Sequence, residues 1–420
     1  MDRAKRRDHH ANLSRAKPLV LASLLLLAGC AGWSSPHWEG MILARVNGET
    51  ITAQDLEEAF NENHKGHGVL LAEYRMVRRF LERVIDQQLL WQEARRIGLD
   101  RAPEVERAVE NFKQNRAREA FFQEEVRDRV LIPEEAIRAS YEKMGVRFQA
   151  RHILVESRAQ AEKAWERIKA GETFSQVARQ VSHALTARRG GDLGIVQWGQ
   201  LDPPALEEKL WALGKGEMSE PFETEEGWNL LWVVERMSVK PPPLEEVRTY
   251  IRNVLTRRAI KRRSKELFQE LMARWGGEIY TPVLQELSRG SPARELPPTA
   301  VVATIAGEKI DVGHLGKVAN LEKIRELPPE MAFRLLQRLL ERELFSLLLA
   351  KEAMAQGYGE RPEIVRDSEK LREDLAIDLL LKRVIFADFA GVSAQEVEDY
   401  YRTHREKFTE PEAVQVSIIP

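Results

Sequence analysis

Cysteine is almost absent from this sequence, since Cys30 is the only one among 420 residues. A disulfide within the chain and a thiolate metal site are therefore excluded. Excess charge is also absent, because 64 basic residues face 66 acidic ones and leave a formal net charge of −2. Without a basic surface we expect no nucleic-acid partner. With 43% hydrophobic residues, the chain is long enough for two or three domains with buried cores.

Long hydrophobic runs are missing as well. The main one, Leu19–Ala28, is shorter than the roughly 20 residues of a bilayer-spanning helix. It follows a basic start and ends in Leu27–Cys30 (Leu-Ala-Gly-Cys), which resembles a lipobox. We expect a lipoprotein signal peptide at 1–30, lipidation of Cys30, and a membrane anchor on the periplasmic side of the cell envelope. Ala31 favours the outer membrane; the alternatives are an uncleaved signal anchor or a leader with an incidental cysteine.

The chemistry of nucleotide, metal and nucleophile sites is not present. Gly190–Gly194 (Gly-Gly-Asp-Leu-Gly) lacks the Lys-Ser/Thr of a phosphate loop, the histidines lack paired ligand spacing, and no serine triad stands out. We therefore expect neither a cofactor nor a metal. These glycines predict a tight loop without regular structure.

A helical module occurs twice in the sequence. Val46–Ile51 (Val-Asn-Gly-Glu-Thr-Ile) is echoed by Ile305–Ile310, and Pro103 near a helix start is echoed by Pro362. The copies stay in register except for about one extra helical turn in the second. The pattern predicts a duplicated module of a short hairpin and long helices, separated by a compact segment and a long helical stretch from Leu244 to Trp275.

The compact segment carries four short motifs in order. They are Arg151–Val155 (Arg-His-Ile-Leu-Val), Gly190–Gly194, Gly199–Leu201 (Gly-Gln-Leu) and Gly216–Pro221. Together they resemble the signatures of the parvulin family of peptidyl-prolyl isomerases, and the flanking modules are similar to the chaperone part of SurA- and PrsA-like folding factors. The resemblance implies an α+β fold in which a small antiparallel sheet is surrounded by helices.

The expected division of the chain combines this resemblance with the duplication. It comprises a signal peptide (1–30), a tether (31–40), a SurA-N-like helical module (41–145), a parvulin domain (146–238), a connecting long helix (239–280), a linker (281–299), a second helical module (300–411) and the start of a second parvulin-like domain (412–420). Two explanations of the last segment are open. We favour a longer protein whose second parvulin-like domain begins here and is cut short; the alternative is a remnant strand that pairs elsewhere.

The resemblance also implies the site residues. His152 takes the place of the first family histidine, and Leu201 and Leu206 take the apolar positions that hold the proline ring. Gln200 and Trp228 are expected to contact substrate beside them.

Two polar positions depart from the family pattern. Asn229 stands where the family has a second histidine, and Ala184 stands where it has Cys or Asp. Asn229 could donate a hydrogen bond to the ring of His152 and share the catalytic site with it. The neighbouring His183 is a replacement candidate, and His152 itself has either a catalytic or a structural role.

Three functions are consistent with these residues. The first is an exported isomerase with chaperone modules, acting on X-Pro bonds of unfolded or exported client proteins. The second is a non-catalytic holdase that uses a degenerate parvulin domain, which the losses at Ala184 and Asn229 favour. The third, a structural component of the envelope, has little support beyond the anchor. The sequence leaves the clients and the oligomeric state open.

Overall fold

The computed structural model describes residues 40–63, 74–289, 296–387 and 391–408. The expected signal peptide with Cys30, the tether up to residue 39 and the segment 412–420 lie outside these ranges. Within the described ranges, no helix combines the length and the apolar character that crossing a bilayer requires.

The chain is mixed α+β, as predicted. The strands are β1 (Ile42–Val46), β2 (Glu49–Thr52), β3 (Val146–Val155), β4 (Asp192–Gln197), β5 (Phe222–Thr224), β6 (Gly227–Ser238), β7 (Glu278–Ile279), β8 (Val301–Ile305) and β9 (Glu308–Asp311). The α-helices are α1 (Ala53–Asn63), α2 (Tyr74–Arg96), α3 (Pro103–Phe122), α4 (Glu134–Lys143), α5 (Arg158–Lys169), α6 (Phe174–Val181), α7 (Pro204–Trp211), α8 (Leu244–Arg274), α9 (Thr281–Arg289), α10 (Val312–Val318), α11 (Leu321–Arg325), α12 (Pro329–Ala355), α13 (Pro362–Leu380) and α14 (Ala394–Thr403).

The central domain is built on a four-stranded antiparallel sheet in the order β4-β3-β6-β5. Its longest pairing joins β3 to β6, in which Val146 faces Ser238 and Val155 faces Trp228. Strand β3 has the bounds predicted from its run of apolar and β-branched residues. The small antiparallel sheet expected of the parvulin resemblance is therefore confirmed.

The glycine motif at 190–194 is only partly the loop that the sequence predicts. Gly190 and Gly191 form a turn with positive φ, but β4 already begins at Asp192. Gly194 lies inside the strand with a φ of 71°, next to an irregularity in the pairing between Ala150 and Arg151. A bulge of this kind lets a left-handed glycine sit in a ladder, so the expectation of no regular structure was wrong for residues 192–194.

The duplicated hairpins are present in the structure. In the first copy β1 pairs with β2 through a turn at Asn47–Gly48, and in the second β8 pairs with β9 through Ala306–Gly307. All four turn residues have positive φ, which explains why glycine occupies the second position of both turns. The second hairpin gains a third strand, β7, that the sequence did not predict.

A second internal likeness lies at the ends of two long helices. Helix α3 passes into a π-helical turn at Gln123–Arg127, and α13 passes into another at Leu381–Ile385. Each follows a helix that begins at the equivalent proline, Pro103 or Pro362. The duplication thus extends to a rare backbone feature that sequence patterns do not reveal.

Two compact units divide the described chain, and they do not coincide with the predicted modules. Of the described residues, 40–112 and 365–408 belong to one unit, and 113–364 belong to the other. The division falls within α3 and α13, so each of these long helices contributes to two cores. The predicted modules at 41–145 and 300–411 are based on the sequence repeat, and their boundaries stay a prediction.

Each unit has its own apolar packing around parts of these helices. In the first, Val105 and Val109 of α3 pack against Leu379 of α13. In the second, Phe121 of α3 belongs to the same core as Leu344 of α12. The second half of α3 therefore helps to complete the core of the second helical module.

The predicted linker at 281–299 contains a helix. Helix α9 begins at Thr281, and Leu284 and Leu287 are buried in the core of the second unit against α12. Ser, Pro and Gly are abundant after Ser288, which is typical of a linker, but residues 281–289 are helical.

Candidate functional site

The predicted site lies on one face of the central sheet. Along β3, Phe148, Ala150 and His152 point to one side, and Ile153 and Val155 point to the other. This follows from the two-residue period of a strand. His152 is 7% exposed, so its imidazole lies under the protein surface, at the edge of an apolar cluster.

His152 and Asn229 contact each other directly. The His152 Nε2 atom lies 2.8 Å from the Asn229 Oδ1 atom. The Asn229 Nδ2 group is already used, since it donates to the Gly227 carbonyl at 2.7 Å and to the Thr224 hydroxyl at 3.0 Å. The imidazole therefore donates and the amide accepts, which corrects the expectation that Asn229 donates to the ring.

The surroundings favour a neutral imidazole. Burial lowers the pKa of His152 from its ordinary value, while the hydrogen bond to Asn229 acts in the opposite direction. Burial prevails because a charged ring would lose its hydration in this position. A neutral His152 with its proton on Nε2 can accept a hydrogen bond on Nδ1 but carries no charge to attract a carboxylate.

An apolar wall lies on the same face of the sheet. Leu206 of α7 is 5% exposed and clusters with Leu231 of β6 and with the half-buried side chains of Leu201 and Phe222. Across the ladder Leu231 is the direct partner of His152. The imidazole and the two predicted leucines thus belong to one face of one domain.

The glycine turn presses against the histidine strand. The His152 amide donates to the Gly191 carbonyl at 2.8 Å, and a Cβ atom on Gly191 would lie 2.5 Å from the His152 carbonyl oxygen. Only glycine fits this close approach at a φ of 77°. The turn therefore fixes the backbone on which the imidazole stands.

His183 does not replace the missing acid at Ala184. Its Nε2 atom lies 3.5 Å from the Glu156 Oε1 atom, and its backbone amide donates to the Leu154 carbonyl. These contacts direct the ring toward the end of β3, and its side chain is about one-third exposed. The structure thus brings the His183 ring to Glu156, at the end of β3.

Residues 149–235 match the family model described as rotamase, PPIC-type PPIase domain. The match includes most of the sheet, the glycine turn and the apolar wall described above. The chain contains a PpiC-type peptidyl-prolyl isomerase domain.

Relatives extend beyond this PPIase domain to different degrees. A foldase protein PrsA from Caldanaerobacter subterraneus subsp. tengcongensis is 27% identical over 266 residues, which cover 56% of this chain and 85% of the relative. A chaperone SurA from Alkalilimnicola ehrlichii is 33% identical over 150 residues, which are 33% of each chain. A parvulin-like PPIase from Rickettsia prowazekii is 27% identical over 191 residues, 44% of this chain and 67% of the relative.

Solved structures give partial matches. A PpiC-type peptidyl-prolyl cis-trans isomerase domain is 29% identical and covers 24% of this chain and 98% of its own, with a TM-score of 0.22. A PrsA peptidylprolyl isomerase from Bacillus anthracis is 19% identical and covers 44% of this chain and 96% of its own, with a TM-score of 0.27.

Two other predicted substrate contacts fare differently from the leucines. Trp228 precedes Asn229 in β6 and therefore lies on the opposite face of the sheet, packed against the cluster that contains Ile153. Because adjacent strand residues alternate between faces, Trp228 does not share the face of His152 and Asn229, and its role toward substrate stays a prediction. Gln200 is exposed, and its Oε1 atom accepts from the Gln197 amide at 3.0 Å. Its role toward substrate stays a prediction.

One buried polar group near the wall is absent from the sequence predictions. Glu207, the residue after Leu206, is 4% exposed and accepts from the Gly199 amide at 2.6 Å. Its other carboxylate oxygen lies 2.9 Å from the Nη2 atom of Arg258. In the described part of the chain, no three carboxylate, imidazole or thiolate side chains converge as metal ligands would.

Proposed function

We propose that the chain is an exported folding factor that isomerises X-Pro bonds of unfolded client proteins. The observation that carries the proposal is a PPIase domain in which a neutral imidazole shares one sheet face with Leu201 and Leu206. The PrsA and SurA relatives, named foldase and chaperone, support a role in protein folding.

Isomerisation of an X-Pro bond needs a site that binds the proline ring and needs no reactive side chain. The barrier to X-Pro isomerisation is about 20 kcal/mol and comes from amide resonance. The reaction is a rotation about the C–N bond, in which no covalent bond is made or broken. An apolar wall that holds the proline ring removes the amide from water and favours its twisted form. Leu201 and Leu206 would supply that wall, while His152, held by Asn229, would keep the floor of the site in place or accept a hydrogen bond on Nδ1.

A protease-coupled assay with an X-Pro peptide tests this proposal on the full chain. We expect saturable turnover, and we expect His152→Ala to lower it at least tenfold. The reason is that alanine removes the ring that would accept a hydrogen bond on Nδ1 and, with it, the donor that holds the Asn229 oxygen in the floor of the site; a tenfold loss corresponds to about 1.4 kcal/mol. Turnover that survives this change would remove His152 from the mechanism.

The binding-only alternative makes the opposite prediction in the same experiment. It follows from the loss of the family histidine at 229 and of the family acid or thiol at 184. A wild-type chain that suppresses aggregation of an unfolded client but leaves X-Pro exchange at its uncatalysed rate would establish the holdase function and exclude the isomerase.

The anchor belongs to the same proposal. Lipidation of Cys30 would tether the mature chain to the membrane, and Ala31 favours the outer membrane as its place. We expect the wild type to incorporate a labelled fatty acid in cells and Cys30→Ser to incorporate none. Absence of the label from the wild type, or equal labelling of both chains, would contradict the lipid anchor.

A further inference from the structure

The turn that carries Leu201 is held by a helix outside the PPIase domain. The turn comprises Trp198–Leu201 and follows the end of β4. Trp198 is 2% exposed and packs against Ile251 and Val254 of α8, which lies beyond the family match at 149–235. One wall of the proposed site therefore depends on an element that the family domain does not include.

The backbone of the turn approaches α8 closely. Gly199 has a φ of 87°, and a Cβ atom there would lie 2.8 Å from the Tyr250 hydroxyl oxygen. The same hydroxyl donates to the Trp198 carbonyl at 3.3 Å. A larger residue at 199 would push the turn away from the helix.

A buried ion pair fixes the position of the turn. Glu207 accepts from the Gly199 amide through one carboxylate oxygen and faces the Arg258 guanidinium of α8 with the other. A carboxylate that is 4% exposed is costly unless it is paired and hydrogen-bonded. Arg258 also lies 5.5 Å from the centre of the Trp198 ring. It therefore stabilises both the charge that holds Gly199 and the aromatic side chain beside it.

Contacts between α8 and the domain continue along the helix. Lys261 lies about one turn beyond Arg258, and its Nζ atom is 3.8 Å from the Oδ1 atom of Asp202, the residue that follows Leu201. Farther on, Leu267 and Leu271 are buried in the core of the second helical module. One continuous helix, α8, thus contacts both that core and the turn at Trp198–Leu201.

We propose that Arg258 is a positioning residue for the substrate wall, acting through Glu207 and the Gly199 amide on Leu201. This inference rests on the proposed isomerase function. It assigns to α8, which the sequence presents only as a connector, the task of setting how tightly the site holds a prolyl peptide.

The test compares full-length variants that change one guanidinium each. Arg258→Met removes the charge and keeps most of the aliphatic bulk, and Arg258→Lys restores a charge. Arg262→Met is the matched control, because Arg262 lies one turn farther along the same helix with a side chain that is 77% exposed. The measurements are KM and kcat for an X-Pro peptide, and hydrogen exchange of the Gly199 amide.

We expect Arg258→Met to raise KM about tenfold while kcat stays within about twofold, since a displaced wall weakens binding of the proline ring. The Gly199 amide should exchange faster, Arg258→Lys should recover most of the affinity, and Arg262→Met should match the wild type. A fall in kcat at unchanged KM would indicate loss of folded protein only and would overturn the proposal, as would equal behaviour of the two methionine variants.

The Gly199 amide separates this inference from the proposed function. If the wild type shows no turnover, the isomerase proposal fails, and the exchange rate alone decides the role of Arg258. Faster exchange in Arg258→Met but not in Arg262→Met supports positioning of the turn, and unchanged exchange in both variants refutes it.

Discussion

Gly191→Ala should destabilise β3 by about 3 kcal/mol. A left-handed conformation costs a non-glycine residue about 1–2 kcal/mol, and the new Cβ would also lie 2.5 Å from the His152 carbonyl oxygen. Backbone cannot move aside as the end of a long side chain can, so the clash must shift either the glycine turn or the strand. Native-state hydrogen exchange of the β3 amides measures the change in opening free energy.

Gly194→Ala is the matched control for this prediction. Gly194 has a similar φ of 71°, but a Cβ atom there would meet nothing within 4 Å. We expect Gly194→Ala to lower the opening free energy by only about 1 kcal/mol, the cost of a left-handed backbone conformation at alanine. Equal costs for the two substitutions would show that the close approach between the glycine turn and His152 does not hold the strand.

Leu201→Asp should lower X-Pro turnover at least tenfold, which corresponds to about 1.4 kcal/mol of transition-state stabilisation. The carboxylate would stand in the apolar wall beside Leu206, where the proline ring has to exclude water. Leu201 is only half-buried, so we expect the domain to stay folded. The measurement is the turnover of an X-Pro peptide by the full chain.

The control for Leu201→Asp is Leu131→Asp. Leu131 is 85% exposed and lies outside the PPIase domain, so the same change of charge occurs away from the wall. We expect Leu131→Asp to keep wild-type turnover. Equal losses in both variants, or none in Leu201→Asp, would mean that the wall at 201 does not contact the substrate.

Strong periodic patterns made much of the fold predictable from the sequence. Strand β3 and helix α8 have dense apolar patterns, and the structure gives β3 the predicted bounds and α8 nearly so. The two-residue period of β3 and β6 also places His152 and Asn229 on one face, where they meet. The rest of the domain was predictable from the order of its motifs, because the resemblance to the parvulin family includes the glycine turn and the Gly-Gln-Leu turn in the same order.

Features that depend on packing between distant segments could not be predicted. A glutamate on a short helix is usually solvated, so nothing in the sequence marked Glu207 as the buried partner of Arg258. Trp228 directly precedes Asn229 in β6 and therefore lies on the other face of the sheet, packed against the cluster that contains Ile153. The sequence also does not predict that α3 contributes to two cores. An apolar face shows that a helix is packed against something, but not against which segment.

The departures from the family pattern define what the domain retains. Asn229 replaces an imidazole with an amide whose oxygen accepts from His152, so the ring stays oriented without a second histidine. Ala184 supplies no acid, and the His183 Nε2 atom lies 3.5 Å from the Glu156 Oε1 atom. The apolar cluster on the same face includes Leu201, Leu206 and Phe222. Our proposal that this face holds a proline ring rests on these apolar side chains.

The cis–trans exchange rate of an X-Pro peptide, measured by exchange NMR with the full chain at catalytic concentration, tests the central claim without a coupling protease. Spontaneous exchange takes tens of seconds at 25 °C, so acceleration is easily resolved. We expect exchange that rises in proportion to the wild-type chain and falls at least tenfold with Leu201→Asp. Exchange that stays at the spontaneous rate while the peptide binds would contradict isomerisation by this domain.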